Sequence, residues 1–307
     1  MDQAAPVHEP AMVAEAVSAL GCRPGGFWVD ATLGAGGHAA AILERTSPDG
    51  FLLGIDRDTE ILGLAAARLA AYAGRFELVH GNFGDLGAII AKAARGLADG
   101  ILIDLGLSSL QLDLPERGFS FRADAPLDMR MDRGEPGTAL DLVATASEEE
   151  LANIIYQYGE ERKSRRIARA ICRERERGGT MTTQRLADAV AGAVGGRGPR
   201  GGHIHPATLT FQALRIAVNG ELEALAAVLA ALPAILAPGG RACVIAYHSL
   251  EDRAVKQAFR ALAPIARTTA PRPFTLLTRK PERPGAEELR RNPRSRSARL
   301  RAIARAA

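Results

Sequence analysis

The sequence has few cysteines, only three in 307 residues, and they lie far apart. Cys22, Cys172 and Cys243 form no Cys-x-x-Cys pair, so they indicate neither a disulfide framework nor a zinc site. The chain also lacks a basic start followed by an apolar core, and no apolar run approaches the length of a bilayer span. We therefore expect a soluble, unexported protein of the reducing cytoplasm, with no metal and no membrane partner.

Acidic residues are scarce in the last part of the chain. Residues 260–307 carry 13 basic and 3 acidic side chains, a net charge of +10, so the preceding residues are net −6 within the formal total of +4. Arg is far commoner than Lys, and its planar guanidinium suits phosphate. A basic tail of this kind indicates polyanion binding, above all nucleic acid, and the alternative is a merely solvated tail.

Apolar residues are plentiful, at 47% of the chain, which is enough to bury the core of one large domain or two smaller ones. The most informative stretch is Phe27–His38. Its first four residues are typical of a buried strand, Gly34, Gly36 and Gly37 follow as a turn, and a helix is predicted directly after them. Such a turn places backbone N–H groups where a ligand can lie against bare backbone, although it can also simply close a strand-helix unit.

Two carboxylates bear on the choice of that ligand. Asp56 follows the next apolar run, about twenty residues after the glycines, where an acid can accept both ribose hydroxyls of an adenosine. Asp30 precedes the glycine turn, and a carboxylate aimed there would repel a pyrophosphate and attract an ammonium group. S-adenosylmethionine has an ammonium group and no phosphate, so the sequence favours it over a dinucleotide.

Strands alternate with helices in the first third of the chain. Strands are predicted over 27–30, 51–55, 76–79 and 100–105. Asp104 is the third carboxylate near a strand end, and Phe83 follows the third strand, where it contacts an adenine ring or joins the core. The alternation predicts an α/β fold with an open parallel sheet that binds ligands beyond the carboxyl ends of its strands.

The alternation stops after residue 109. Residues 111–137 are charged and punctuated by Gly and Pro, but their embedded Phe and Met residues favour order over disorder. Helices are predicted over 148–158, 160–177 and 183–194, and the second carries eight basic residues, which a solvated helix face would also explain. We expect an inserted, mostly helical domain over 111–205, ending in a mobile linker over 195–202, and a core domain made of 1–110 and 206–307.

The chain then returns to the sheet. His203 and His205 alternate, but no Cys, Asp or Glu stands near them, so a metal site is not expected. A long apolar helix over 221–236 precedes a fifth strand over 241–247, which leads to His248 and a further helix.

With these motifs in view, the chain resembles the bacterial ribosomal RNA small-subunit methyltransferase H family, which methylates the N4 of a cytidine in the decoding region of 16S rRNA. The resemblance runs from about His8 to Arg301 and implies a Rossmann-like S-adenosylmethionine-dependent methyltransferase sheet with an inserted helical substrate-recognition domain. It rests on nine strings in register: Val29–His38, Gly54–Asp58, Asp104–Ser109, Arg117–Arg122, Leu127–Asp132, His205–Thr208, Phe211–Ile216 onward to Asn219, His248–Arg253 and Asn292–Ser297.

The resemblance implies which residues contact S-adenosylmethionine. They are Gly36, Gly37, His38, Asp56, Phe83, Asp104 and Gln111. Asp30 is added from the chemistry of the glycine turn. Ala35, Leu110 and Tyr247 depart from the family, which commonly has Arg, Pro and Phe there. None of these removes a proposed ligand, although Leu110 bends the loop that carries Gln111 less rigidly than Pro would.

The methyl acceptor expected from the resemblance, a cytosine amino group, must be positioned by the protein. The lone pair of a cytosine amino group is delocalised into the ring, so the amine must be held by hydrogen-bond acceptors in line with the methyl group. Asp104, Ser108 and Ser109 at the end of the fourth strand, and His248 after the fifth, are the predicted positioning groups. The target base must be single-stranded or flipped out to reach the methyl group.

Two other functions stay open. A nicotinamide-dependent oxidoreductase would use the same glycine fingerprint, but Asp30 and the absence of an evident hydride-handling dyad oppose it. A non-catalytic RNA-binding or ribosome-assembly factor would retain the cofactor fold only as architecture. For the methyltransferase, the expected partner is 16S rRNA within the small ribosomal subunit, and the resemblance implies a homodimer.

Overall fold

The computed structural model describes residues 9–195, 205–264 and 273–307. The chain divides into two compact units, the first made of Met1–Ser108 and Leu222–Ala307 and the second of Ser109–Glu221. His203 and residues 196–202 of the predicted linker lie outside the described residues. The helices, in chain order, are α1 Val13–Leu20, α2 Gly37–Arg45, α3 Thr59–Arg68, α4 Leu86–Ala93, α5 Ser109–Asp113, α6 Ala139–Thr145, α7 Glu148–Gly159, α8 Ser164–Glu176, α9 Thr183–Val194, α10 Thr208–Asn219, α11 Glu221–Ile235, α12 Ser249–Leu262 and α13 Ala286–Arg291.

The first unit is built on a seven-stranded sheet in the order β3-β2-β1-β4-β5-β7-β6. Strands β1 to β5 are parallel, and β7 pairs antiparallel with both β5 and β6. The predicted α/β, Rossmann-like sheet is therefore confirmed. Its strands are β1 Phe27–Asp30, β2 Phe51–Asp56, β3 Phe76–His80, β4 Ala98–Asp104, β5 Leu236–Ala246, β6 Phe274–Leu276 and β7 Arg299–Arg305.

Helices cover both faces of this sheet, which is why all four residues of β1 are buried. One apolar cluster joins side chains of α1, α2 and α3 to Trp28 and Leu52, and the other joins α4, α11 and α12 to Val29 and Leu53. At Gly100 in β4, a Cβ atom would lie 2.6 Å from the Trp28 ring, so only glycine leaves room for the indole. Packing on both faces of the sheet holds in place the strand ends that carry the candidate site.

Residues 299–305 form strand β7 of the sheet. The interpretation of the whole C-terminal stretch as a basic tail was therefore wrong for these residues. Strand β7 lies inside the sheet, between β5 and β6, with Leu300 and Ile303 buried. The Nε atom of Arg301 lies 2.7 Å from Oδ1 of Asp252, and Arg305 donates to the carbonyl of Leu236. Part of the C-terminal basic charge therefore joins β7 to α12 and to β5.

The second unit is helical. Helix α7 packs against α8 and α10, and α8 packs against α9. The expected boundary at 206 would assign α10 to the core domain, but α10 belongs to this unit because it packs on α6 and α7. The long segment before α6 is anchored by Asn219, whose Nδ2 donates to the Met129 carbonyl and whose Oδ1 accepts the Met131 N–H, each at 2.8 Å.

Among the described residues, no single helix has both the length and the apolar composition of a membrane span. Helices α10 and α11 meet these two criteria only when they are counted as one segment, and that segment is bent by 58°.

Candidate active site

Three carboxylates end three adjacent strands. Asp30, Asp56 and Asp104 are the last residues of β1, β2 and β4, and these strands are neighbours in the order β2-β1-β4. Because the strands are parallel, all three side chains lie at the carboxyl edge of the sheet, where ligands of open α/β sheets bind.

The glycine turn is tied to the second of these carboxylates. Oδ2 of Asp56 accepts the Gly34 N–H at 2.8 Å, and its Oδ1 accepts the Asp58 N–H at 2.9 Å. Gly34 and Gly36 have φ values of +51° and +78°, a region that favours glycine, and α2 starts after Gly36 without a side-chain cap. Burial raises the pKa of Asp56 to about 6, against the opposing effect of these N–H donors.

The segment before α1 lies over the start of α2. At Gly37, a Cβ atom would lie 2.5 Å from Cγ of Pro10, so the close approach requires glycine. The ring of His38 is buried, and its Nε2 lies 2.9 Å from the carbonyl of Ala11, to which it must donate because a carbonyl only accepts. The second ring nitrogen, Nδ1, therefore faces the carboxylates, 3.7 Å from Oδ2 of Asp104.

Asp30 is only 1% exposed and is incompletely satisfied. Its Oδ1 accepts the Thr32 N–H at 3.3 Å, while its Oδ2 is buried and accepts no hydrogen bond within the described part of the chain. The pKa of this carboxyl is raised to about 7; burial is the main cause, the Thr32 hydrogen bond opposes the rise, and the charge of Asp56 contributes to it. A cationic ligand group at Oδ2 would relieve this burial penalty.

Asp104 is held on both sides. Its backbone N–H donates to Oγ1 of Thr32 at 2.6 Å, and its Oδ1 accepts a hydrogen bond from the Tyr247 hydroxyl at 2.9 Å. Burial raises the pKa of Asp104 to about 8; the Tyr247 hydrogen bond opposes this rise, and the charges of Asp30 and Glu251 add to it.

His248 forms the N-cap of α12. Its Nδ1 accepts the Glu251 N–H at 3.4 Å, and its Nε2 lies 2.9 Å from Oε1 of Glu251. The buried Glu251 carboxylate in turn accepts the backbone N–H groups of Tyr247 and His248, at 2.8 and 3.2 Å. The structure thus gives His248 a capping role, and its role at a target base stays a prediction.

The remaining predicted residues divide between the two units. Phe83 lies in a short 3₁₀ turn after β3, partly buried against the core, and Ser108 follows β4 in the first unit. Ser109 is the first residue of α5 and Gln111 lies buried within it, both in the second unit. Their contact with a ligand stays a prediction.

Three residues that support the candidate site had no role predicted from the sequence. Thr32 orients the backbone of Asp104, and Tyr247 binds its carboxylate. Glu251 supports Tyr247 and His248, and its spacing of three residues after His248 is that of a capping box, a signal that the sequence contains. Tyr247 stood out only as a departure from a common Phe.

The donor set matches S-adenosylmethionine better than a metal or a pyrophosphate. Asp56 carries carboxylate oxygens of the kind that bind a ribose, and Asp30 carries a buried oxygen that accepts no hydrogen bond from the described residues. Within the described residues, no group of three or more His, Cys, Asp or Glu is placed to hold a metal ion. His205 is used locally, since its Nδ1 accepts the Ala207 N–H at 3.1 Å.

The chain is similar to known proteins in sequence and in structure. A model of the MraW methylase family matches residues 5–306. A protein from Geobacter sulfurreducens named ribosomal RNA small subunit methyltransferase H is 50% identical over 309 residues, covering 96% of this chain and 97% of its own. The protein of the same name from Methylobacterium nodulans is 50% identical, covering 97% and 90%. A crystal structure of an rRNA methylase from Streptococcus thermophilus covers 99% of this chain and all of its own, at 12% identity and a TM-score of 0.43.

Proposed function

The chain belongs to the MraW methylase family, and we therefore propose that it transfers a methyl group from S-adenosylmethionine to the N4 of a cytidine in 16S rRNA. The relatives' shared name, ribosomal RNA small subunit methyltransferase H, supports the substrate class. The observation that carries the proposal is the buried Oδ2 of Asp30, which accepts no hydrogen bond from the described residues, beside a glycine turn that Asp56 holds. This pairing suits an adenosine that carries an ammonium group.

We assign the cofactor contacts as follows. Asp56 receives the ribose hydroxyls, Asp30 receives the ammonium group, and Gly36 and Gly37 contribute backbone contacts at the start of α2. His38, Phe83, Asp104 and Gln111 complete the set.

S-adenosylmethionine supplies an activated methyl group on a positively charged sulfur. The cytosine N4 forms a bond to the methyl carbon as the carbon–sulfur bond breaks, and the sulfur keeps the bonding electron pair. Asp104, Ser108, Ser109 and His248 hold the amine and localise its lone pair before this attack. The nitrogen then loses a proton to a carboxylate or to water. Asp104 is suited to accept it, since burial raises its pKa to about 8.

Helix α8 is proposed as an RNA contact of the second unit. Its buried side chains, Ile167, Ala168 and Ile171 among them, lie on one face. By the helical repeat, the opposite face presents four arginines within about 100° of the circumference. This arginine face consists of Arg165, Arg166, Arg169 and Arg173, all exposed.

Most of the arginine face is not neutralised locally. Arg169 lies 3.4 Å from Glu148, whereas no ion pair within the described chain involves the other three. Arg175, on the same helix, instead donates to the carbonyls of Val143, Ala144 and Ala146 at the C-terminal end of α6. The arginine face therefore carries net positive charge toward solvent, which suits an RNA backbone.

The biological setting is proposed with the function. The target RNA is presented within the small ribosomal subunit, in the cytoplasm, and the protein acts as a homodimer. Because a base stacked in a helix cannot reach the methyl group, the target cytidine is single-stranded or flipped out.

The deciding experiment uses labelled S-adenosylmethionine and small ribosomal subunits that lack the modification. We expect the label in N4-methylcytidine after nucleoside digestion. Asp104→Asn should lower the rate about 100-fold or more, as expected for a lost electrostatic positioning group. Asp188→Asn, which changes an exposed carboxyl on α9, is the matched control.

The outcomes separate the alternatives. Label in another nucleoside would contradict the proposed target while leaving the cofactor and reaction type intact. Cofactor and RNA binding without any transfer would favour a non-catalytic assembly factor. Preferential binding of a nicotinamide dinucleotide in a direct titration would favour an oxidoreductase.

A further inference from the structure

Tyr247 reaches from the end of β5 to the neighbouring strand β4. Its hydroxyl donates to Oδ1 of Asp104 at 2.9 Å, although the two residues are 143 positions apart in the chain. The phenol packs over the backbone at Gly106, where a Cβ atom would lie 3.2 Å from the tyrosine ring. A phenylalanine would fill the same space and leave Oδ1 without this donor.

The backbone of Tyr247 is itself fixed. Its N–H donates to Oε2 of Glu251 at 2.8 Å, and Glu251 is only 2% exposed. The phenol therefore extends from an anchored start of α12 rather than from a mobile loop. The hydroxyl position is set before any ligand arrives.

This contact determines what the other oxygen of Asp104 can do. With Oδ1 engaged by Tyr247, Oδ2 is the oxygen turned toward His38, at 3.7 Å from Nδ1. The Asp104 side chain is 19% exposed, so a ligand can reach it, and a carboxylate oxygen can accept more than one hydrogen bond.

We propose that Tyr247 is a positioning residue, whose hydroxyl holds the Asp104 carboxylate in the orientation that receives the positively charged S-adenosylmethionine. The inference rests on the cofactor site proposed above and is independent of the rRNA target. Tyr247 does not itself touch the reacting atoms; it acts through Asp104.

The Tyr247 hydroxyl affects the pKa of Asp104, and this effect can be measured. The groups that face Asp104 are Tyr247 after β5, His38 on α2, Asp30 on β1 and Glu251 on α12. Burial and the two acidic neighbours disfavour the carboxylate, and the Tyr247 hydrogen bond favours it by lowering the Asp104 pKa. Loss of the hydroxyl therefore raises that pKa and leaves less carboxylate at neutral pH.

The test is Tyr247→Phe, measured by calorimetric titration with S-adenosylmethionine from about pH 6 to about pH 9. We expect binding about tenfold weaker at neutral pH, the effect of losing one hydrogen bond to a charged group. The pH midpoint of binding should also move upward, which a purely structural defect would not produce. Tyr156→Phe removes a hydroxyl from a side chain that is 60% exposed and is the control.

A second measurement needs no cofactor. In the ligand-free protein, the ¹³C titration of the Asp104 carboxyl, assigned with Asp104→Asn, should have a higher midpoint in Tyr247→Phe than in the wild type. Unchanged affinity and an unchanged midpoint in Tyr247→Phe would overturn the positioning role. A wild-type protein that binds no S-adenosylmethionine would instead overturn the proposed function.

Discussion

Asp30, the proposed partner of the ammonium group, illustrates at the scale of one residue how a ligand site can reduce the stability of the ligand-free protein. One of its buried oxygens accepts the Thr32 N–H, and the other accepts no hydrogen bond from the described chain. A buried carboxylate with an unpaired oxygen destabilises the ligand-free fold, and the cationic ligand group proposed above would relieve that cost.

Asp30→Asn should separate stability from binding. At pH 8 the variant removes a buried charge, so we expect the free energy of unfolding of the ligand-free protein to rise by about 1 kcal/mol. S-adenosylmethionine should bind at least about tenfold more weakly, because its ammonium group loses an anionic partner. Chemical denaturation and calorimetry measure the two quantities.

The matched control is Asp49→Asn, which changes an exposed carboxyl just before β2. It should alter neither quantity. An Asp30→Asn protein that is less stable at pH 8 but binds the cofactor normally would show that Asp30 is a structural carboxyl.

At the scale of elements, α8 shows how one helix divides its basic residues between two tasks. Arg175 donates to three carbonyls at the C-terminal end of α6, so it joins α8 to α6 within the second unit. The arginine face turns away from the buried side chains and is directed to solvent. The high basic content that the sequence shows is therefore partly structural and partly available to a polyanion.

Replacing Arg165, Arg166 and Arg173 together by Gln should weaken RNA binding in a salt-dependent way. Each phosphate contact in single-stranded RNA contributes about 0.7 to the slope of log affinity against log salt, so the slope should fall by about 2. Gln is nearly as good a helix former as Arg, so α8 should persist, which circular dichroism can check.

The control for this variant is Lys92→Gln, an exposed cation on α4 in the first unit. It should leave the slope nearly unchanged. A triple variant that binds small-subunit RNA with the wild-type salt slope would mean that the arginine face is only a solvated helix surface.

At the scale of the whole molecule, the three strand-end carboxyls link stability to pH. Burial raises the pKa values of Asp56, Asp30 and Asp104 to about 6, 7 and 8, all above their values in an unfolded chain. The native state therefore binds more protons than the unfolded state between about pH 4 and pH 8. Stability from these groups is fully present below about pH 4 and is lost as the pH rises through the three native pKa values.

The ligand-free protein should therefore have a melting temperature that falls between about pH 5 and about pH 8. S-adenosylmethionine should stabilise most at the upper end of this range, because its cationic groups favour the ionised carboxyls. Thermal unfolding with and without the cofactor measures both effects. Exposed acids with lowered pKa values, such as Asp141 and Glu150, act only at lower pH and do not obscure this range. A melting temperature that rises between pH 5 and pH 8 would contradict the prediction.

Much of this molecule follows from local sequence. The spacing of apolar residues, the positions of glycines and the apolar runs reflect interactions between residues that are close in the chain. These signals therefore predicted the first five strands, most helices and the carboxylates at three strand ends. The glycine turn and its pairing with Asp56 could also be predicted, because the turn and the following parallel strand are close along the chain.

Other features depend on contacts between distant segments. Strand β7 alternates Arg with apolar residues, and only its antiparallel place between β5 and β6, with Asp252 beside Arg301, makes it part of the sheet rather than a basic tail. Helix α10 falls in the second unit because of its packing on α6 and α7. The residue types at the site were thus determined by the sequence, whereas the hydrogen bond from Tyr247 to Asp104 was decided by tertiary structure, because strand pairing alone brings those two strand ends together.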